Sequence, residues 1–213
     1  MDQTRGTANN NIVAELVKRS QKGDTKTFEG LVNIYQGRVY GLCLKLSGNP
    51  DDAEDLSQDV FIKAFHSLKG FRLEADFGTW LHRIAVNMWF NIKKKNSRIV
   101  QISLDEPITT AEGEVSRDIA DLDLTGDPLA SLEEVEFRGM VRQALNQLSQ
   151  EHKAVLVLRD MEGYSYEEIA EITKSSLGTV KSRINRARQA MKGLISREMG
   201  TGIQNPESRI QKK

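Results

Sequence analysis

An all-α fold of two small helical domains is what this 213-residue chain predicts, and three observations predict it. Apolar residues recur every three or four positions through most of its length, the period of an amphipathic helix. No stretch alternates convincingly as a half-buried strand would. From about Ser103 to Thr125 the helical pattern lapses into acids, threonines and glycines, the composition of a flexible linker. The expected parse is an N-terminal bundle over 11–99, a flexible acidic linker over 100–127, a C-terminal helix-turn-helix domain over 128–197 and a disordered tail over 198–213.

Each element carries its own signals. Ile12, Val13, Leu16 and Val17 form a short stripe that stops near Gly23, and Asp24 is placed to cap the helix that follows. There Phe28, Leu31, Tyr35, Val39, Leu42 and Leu46 share one face. Asn49-Pro50 supplies a cap and a first-turn proline to a third helix, with Ala53, Leu56, Val60, Ala64 and Leu68 inward and an acidic outer face of Asp52, Asp55 and Asp59. After a loop from Phe71 to Phe77, Thr79 is the expected cap of a helix that buries Trp80, Leu81, Ile84, Ala85, Met88 and Ile92. Beyond the linker, Asp127-Pro128 reopens a helix bearing Leu129, Leu132, Val135, Met140, Ala144, Leu145 and Leu148. Ser149 caps the next one, which holds Val155 and Leu158 and ends at Gly163.

Residues 163–192 then read as a helix-turn-helix. Ser165 and Glu168 form a capping box, each side chain satisfying a free backbone amide at the start of a helix at Tyr166. Ile169, Ala170 and Thr173 give that helix its inner face. A polar break at Lys174-Ser175-Ser176 follows, and Leu177, Val180, Ile184 and Ala187 resume the helical spacing. Lys181, Arg183, Arg186 and Arg188 lie off that stripe, where phosphates could meet them, so DNA is the first partner to consider. A solvated basic helix in an ordinary bundle would look the same, and the motif alone does not decide between them.

The charge balance, 30 basic against 30 acidic residues, conceals sorting into patches. Residues 79–98 carry Arg83, Lys93, Lys94, Lys95 and Arg98 with no acid, whereas 105–136 hold eleven acids against Arg117 alone. Such segregation suggests several partners. No stretch is apolar enough to span a bilayer and the polar N-terminus lacks the core of a secretion signal, so a cytoplasmic location without membrane insertion is expected. Cys43 stands alone and is expected to be a small buried hydrophobe. His66, His82 and His152 are far apart and are read as surface or boundary residues, and no phosphate-cradling loop or nucleophile elbow occurs. Neither an enzyme nor a bound cofactor or metal is expected; Asp51, Asp52 and Asp55 lack the alternating spacing and turn glycine of a calcium loop.

Three segments in order, Asp-Asp-Ala-Glu-Asp-Leu-Ser-Gln-Asp-Val-Phe-Ile-Lys-Ala-Phe at 51–65, Phe-Gly-Thr-Trp-Leu-His-Arg-Ile-Ala-Val-Asn at 77–87, and Tyr-Glu-Glu-Ile-Ala with Gly-Thr-Val-Lys-Ser-Arg-Ile at 166–184, resemble bacterial sigma factors of the extracytoplasmic-function type, group 4 of the sigma-70 family. The resemblance runs from Phe28 to Ile195. It implies a protein that binds core RNA polymerase, directs it to promoter DNA and helps open the minus-ten element.

The same resemblance assigns roles. Asp52, Asp55, Gln58, Asp59 and Ile62 would dock on a basic coiled coil of the polymerase, charge guiding the contact and apolar groups holding it. The loop from Phe71 through Arg72 to Phe77 would rim a pocket for unstacked bases of the minus-ten strand, with Asn87 offering an amide to a base edge and Arg83, Lys93, Lys94 and Lys95 steering phosphates. Loop aromatics also serve as plain hydrophobic plugs; base contact is the preferred reading of Phe71, and Trp80 belongs to the core. In the second domain Ser182, Asn185 and Arg186 would reach base edges of the minus-thirty-five element, Arg suiting guanine and Asn adenine. Thr179, Lys181, Arg183 and Arg188 would hold phosphates, and Ser175 or Ser176 would cap the recognition helix. Lys174 departs from the glycine common at this turn. Sigma factors of this type also suggest a dedicated anti-sigma partner, and an acidic linker that enters the RNA-exit path of the polymerase. The rival classes are a DNA-binding regulator that acts without polymerase and a protein-binding adaptor; the first half lacks the alternating strands and helices of a receiver domain.

Overall fold

The computed structural model describes residues 3–103 and 132–202, with side chains described over 11–92, 94 and 134–199. Every regular element among them is helical. The N-terminal unit comprises α1 (Gln3–Gln21), α2 (Thr25–Ser47), α3 (Pro50–Ser67) with a closing 3-10 turn at Leu68–Gly70, and α4 (Phe77–Ser103). The C-terminal unit comprises α5 (Leu132–Gln147), α6 (Gln150–Leu156) running into a π turn at Val157–Met161, α7 (Tyr166–Thr173) and α8 (Leu177–Gly202).

The start and stop chemistry works as the residues suggest. Gly23 takes φ +99°, a conformation few residues other than glycine adopt, and closes α1. The Asp24 carboxylate accepts the Thr27 amide at 3.1 Å and opens α2. Asn49 accepts the amides of Asp51 and Asp52 at 2.8 and 3.2 Å, with Pro50 in the first turn of α3. On α2 and α3 all the expected inward residues, from Phe28 to Leu46 and from Ala53 to Leu68, are buried. Burial of each large aliphatic or aromatic side chain contributes about 1.5–3 kcal/mol, and this row of contacts ties α2 to α3 and to α4.

Several expectations are corrected. The cap of α4 is Asp76, whose carboxylate accepts the Thr79 amide at 3.1 Å; the helix begins two residues before Thr79. A carboxylate on the exposed loop reaches the free amide, so the threonine hydroxyl is not needed there. Ile92 and Leu177, expected inside, are 40% and 37% exposed, whereas His82, expected at the surface or a boundary, is 6% exposed where the two units meet. α4 continues to Ser103, past residue 100 where the linker was expected to begin, and α8 runs past residue 197 to Gly202. The rest of the linker, Asp127-Pro128, Leu129 and the tail beyond Gly202 lie outside the described residues.

The two units are not held apart. Their buried residues form one continuous core, with α7 against α4 and the π turn against α2. The π turn makes this possible. The Glu162 amide donates to the Val157 carbonyl and the Tyr164 amide to the Leu158 carbonyl, both at 3.0 Å, which widens the helix end and carries Glu162 and Tyr164 toward the first unit. Arg159 braces the turn, donating to the Tyr164 carbonyl at 2.7 Å and stacking 4.8 Å from the centre of the Tyr166 ring.

Candidate nucleic-acid interface

The helix-turn-helix is built as its side chains dictate. Both halves of the capping box form, Glu168 amide to the Ser165 hydroxyl at 3.1 Å and Ser165 amide to the Glu168 carboxylate at 2.8 Å. At the other end of α7, Lys174 adopts φ 51° and ψ 43°. Its amide donates to the Glu171 carbonyl and the Ser175 amide to the Ala170 carbonyl, the paired bonds of a Schellman termination. A lysine therefore stands in the left-handed conformation that favours glycine. Ser176 is the residue that caps α8, accepting the Thr179 amide at 3.1 Å, while the Ser175 hydroxyl accepts from Arg183 at 3.0 Å.

Val180, Ile184 and Ala187 are buried on one side of α8, joined by Ile169 and Ile172 of α7. With 3.6 residues per turn, Ser182, Asn185 and Arg186 fall opposite that stripe, and all three are exposed. Lys181 and Arg188 occupy one flank and Thr179 and Arg183 the other. Two of these flanking cations already have partners within the protein. Arg188 grips both carboxylate oxygens of Asp160, at 3.1 and 2.5 Å, and Arg183 holds Ser175.

In the first unit the aromatic loop is folded inward. Phe71 is 7% exposed and Phe77 2%. The Phe71 ring lies 4.8 Å from Trp80 and 5.6 Å from Phe77, which in turn meets Tyr35 at 5.3 Å. The expected aromatic rim is thus a packed plug, and the residues that face outward between its two ends are Arg72, Leu73, Glu74, Ala75 and Asp76. Leu73 is held at φ 60° at the tip. Behind the loop on α4, the half-buried Asn87 donates its amide to the Arg83 carbonyl at 2.8 Å, and Arg83 donates to the Glu171 carbonyl of α7 at 2.9 Å. Lys94 is exposed; the side chains of Lys93 and Lys95 lie outside the described residues.

On α3, Asp52, Asp55, Gln58, Asp59 and Ile62 are all exposed on the side away from its buried stripe, Ile62 by 57%. Beside them a groove of about 490 Å³ runs between α2 and α3, lined by Val32, Gln36, Tyr40, Gln58 and Phe61 among others. An acidic rim with apolar groups at its edge suits a basic, amphipathic partner helix.

Comparison with known proteins decides what such a pair of units is. The sigma-70 region 2 family matches residues 31–99 and the sigma-70 region 4 family residues 138–191. The extracytoplasmic-function (ECF) RNA polymerase sigma factor SigW of Bacillus subtilis is 34% identical over 184 residues, 85% of this chain and 95% of that protein. The chain belongs to the ECF sigma factors of the sigma-70 family. The ECF sigma-E factor of Haemophilus influenzae is 38% identical over 183 residues, covering 84% and 93% of the two chains. Among solved structures, the sigma factor RpoE in complex with the anti-sigma factor NepR from Bartonella quintana superposes with a TM-score of 0.58 at 27% identity, covering 80% of this chain and 98% of that one. CnrH, solved with the cytosolic domain of CnrY, shares the fold at a TM-score of 0.58.

The N-terminal bundle of this sigma factor is accordingly region 2 and its C-terminal unit region 4, the parts that recognise promoters and start transcription. Between the two regions lie groups that sequence reasoning missed. The His82 ring nitrogen Nδ1 and the Tyr164 hydroxyl are 2.8 Å apart, and the Lys45 ammonium meets the Glu162 carboxylate at 2.7 Å. Burial holds the His82 imidazole below its usual 6.5 and pushes the Tyr164 phenol up to about 12. A signal was present: His82, Val86 and Trp89 repeat at helical spacing beside the main stripe of α4, and all three are buried. No described helix is long and apolar enough to cross a membrane.

Proposed function

We propose that this sigma factor works from the cytoplasm by docking core RNA polymerase on the α3 face, holding the opened minus-ten strand along the Arg72 loop and α4, and reading the minus-thirty-five duplex with α8. The observation that carries the reading is the sorting of α8: Ser182, Asn185 and Arg186 are exposed together opposite a fully packed stripe, with cationic or hydroxyl groups on both flanks. That is the arrangement major-groove readout requires, base-edge groups in the middle and phosphate contacts at the sides.

Asp52, Asp55, Gln58, Asp59 and Ile62 supply the polymerase contact, steered by charge and completed by the neighbouring groove. Phe71 and Phe77 act in the strand site by stiffening the loop rather than by lining it, since their rings are committed to Trp80 and Tyr35. Arg72, Arg83, Asn87 and Lys94 serve the strand site, with Lys93 and Lys95 as the phosphate contacts the sequence suggests, and Thr179, Lys181, Arg183 and Arg188 serve the upstream phosphates. Chemistry stays with the polymerase, so this chain has no catalytic role. An anti-sigma factor is a further partner, by likeness to RpoE, which was solved with one.

Run-off transcription from genomic fragments with core polymerase tests the reading. Specific transcripts that depend on this chain support it. Duplex binding without any polymerase association would make the protein a regulator that acts alone.

A further inference from the structure

We propose that Gln21, at the end of α1, is a positioning residue for capture of the minus-ten strand: its side-chain amide clamps the foot of the Arg72 loop and sets the direction in which that loop leaves the bundle. This role rests on assigning the loop to the strand site. Gln21 lies one helical turn beyond Val17 and two beyond Val13, both buried, so it continues the apolar stripe of α1 with a polar group. The half-buried amide has two N–H donors and uses both across the fold, on the Leu68 carbonyl at 3.0 Å and the Phe71 carbonyl at 2.7 Å.

Those two carbonyls bracket the 3-10 turn at Leu68–Gly70, from which the loop departs. The turn's own bond, Phe71 amide to Leu68 carbonyl at 3.0 Å, ties its ends together but leaves its orientation to its neighbours. Gln21 supplies that orientation. A peptide unit is planar, so holding the Phe71 carbonyl toward α1 turns the Arg72 amide, in the same plane, the other way and fixes where the Arg72 side chain starts. The Phe71 ring cannot do this. Its packing against Trp80 and Phe77 fixes where the ring lies, while rotation about the Cα–C bond could still turn the peptide that follows.

The exposed run from Arg72 to Asp76 is therefore pinned at two points, by Gln21 at its foot and by the Asp76 carboxylate on the Thr79 amide at its head. Between them Leu73 takes φ 60°, a conformation that residues other than glycine hold only when their surroundings impose it. Leu68 and Phe71 are themselves buried, so a carbonyl that loses its donor reaches water only by moving the backbone at the foot of the loop. A loop ordered before the strand arrives loses less freedom on binding, and that difference is what Gln21 contributes.

Two substitutions in the full-length chain, free and assembled with core polymerase, test the clamp. Gln21→Met keeps length and packing without donors, and Gln21→Lys returns N–H donors at similar reach. A spin label on Glu74→Cys, with Cys43 buried and unlabelled, reports the mobility of the loop. Fluorescence of 2-aminopurine in the minus-ten element reports opening by the holoenzyme. Gln21→Met should loosen the label and slow opening by about three- to tenfold, the loss expected when a loop must be ordered on binding, while core association and binding of a minus-thirty-five duplex stay as in wild type. Gln21→Lys should restore both signals. Should the Met variant not fold, Gln21→Asn, which withdraws the amide by one methylene, is read in its place. Unchanged label mobility overturns the clamp. So does a parallel loss of core association and thermal stability, which would make Gln21 a brace for the whole bundle. A loosened loop with unchanged opening overturns the positioning role, while the strand-site assignment survives as long as Arg72→Ala still slows opening. If Arg72→Ala opens promoters normally, the assignment itself fails and the role of Gln21 with it.

Discussion

Lys174→Gly should stabilise region 4, and the size of the gain follows from the turn. Lys174 sits at φ 51° and ψ 43°, where a side chain costs about 1–2 kcal/mol through the approach of Cβ to the following carbonyl. Glycine removes that cost and forfeits about 0.5–1 kcal/mol through the greater freedom of the unfolded chain. The side chain is exposed, so little packing is lost with it. The net expectation is a gain of about 0.5–1 kcal/mol, or about 1–4 °C in midpoint for a chain of this length. Thermal unfolding followed by far-ultraviolet circular dichroism measures it, with Lys174→Ala as control. Alanine keeps Cβ and should leave the midpoint nearly unmoved. A lower midpoint for the glycine variant, with helical content intact, would show that the left-handed turn is not where strain resides.

Other expectations follow from the same geometry. Arg186→Ala should lose about 1–3 kcal/mol of discrimination at one upstream base pair, read by competition among duplexes altered singly; equal weakening on every duplex would move Arg186 to the backbone contacts. Ile184→Ala empties a site that is 2% exposed between α7 and α8 and should cost about 2–5 kcal/mol in urea unfolding. Acidification should loosen the contact between regions 2 and 4 at His82. Burial keeps the His82 imidazole below its usual 6.5, so the closed form binds fewer protons than the open one and loses stability as pH falls through that value. The ring touches Tyr164 of region 4, and the charges that act on it are Glu162 of region 4, Lys45 and Arg38 of α2, and Asp76 before α4. The distance between spin labels on cysteines introduced at the exposed positions Lys69 and Lys192 should therefore lengthen between about pH 7.5 and about pH 5.5, and His82→Phe should flatten the response.

Helices with one apolar face were legible because a single stripe and two caps state everything such a helix needs. The buried rows of α2 and α3 match the sequence periodicity residue for residue, and Asp24, Asn49, Ser149 and Ser165 cap as their spacing suggests. The cap of α4 was misread because the loop's path, which brings the Asp76 carboxylate to the Thr79 amide, is not written in the local pattern. The π turn left no trace, because its residues, Val157–Met161, are ordinary helix formers and the wider hydrogen bonding reflects what packs against its end. For the candidate site, the exposed triad on α8 and the acidic row on α3 follow from helical period alone. Phe71 and Phe77 do not, since an aromatic residue in a loop is apolar enough for a plug and flat enough for a base, and only the positions of Trp80 and Tyr35 separate those roles.

His82 shows how a second reading of α4 bears on function. A helix that buries one stripe needs one neighbour; α4 buries Leu81 and Ala85 on one side and His82, Val86 and Trp89 on the next, so it must be covered by two layers. Region 2 alone provides α2 and α3 against the first. The second faces α7 and the loop before it, which reach α4 through the Glu171 carbonyl and the Tyr164 hydroxyl. A histidine at the centre of that second stripe, in place of a leucine, weakens the apolar seal and leaves a polar group that water can serve equally well when the regions separate. His82→Leu should therefore tighten the contact between the regions at every pH, by exchanging a titratable group for a hydrophobic one, and a pH-independent spin-label distance in that variant would bear this out.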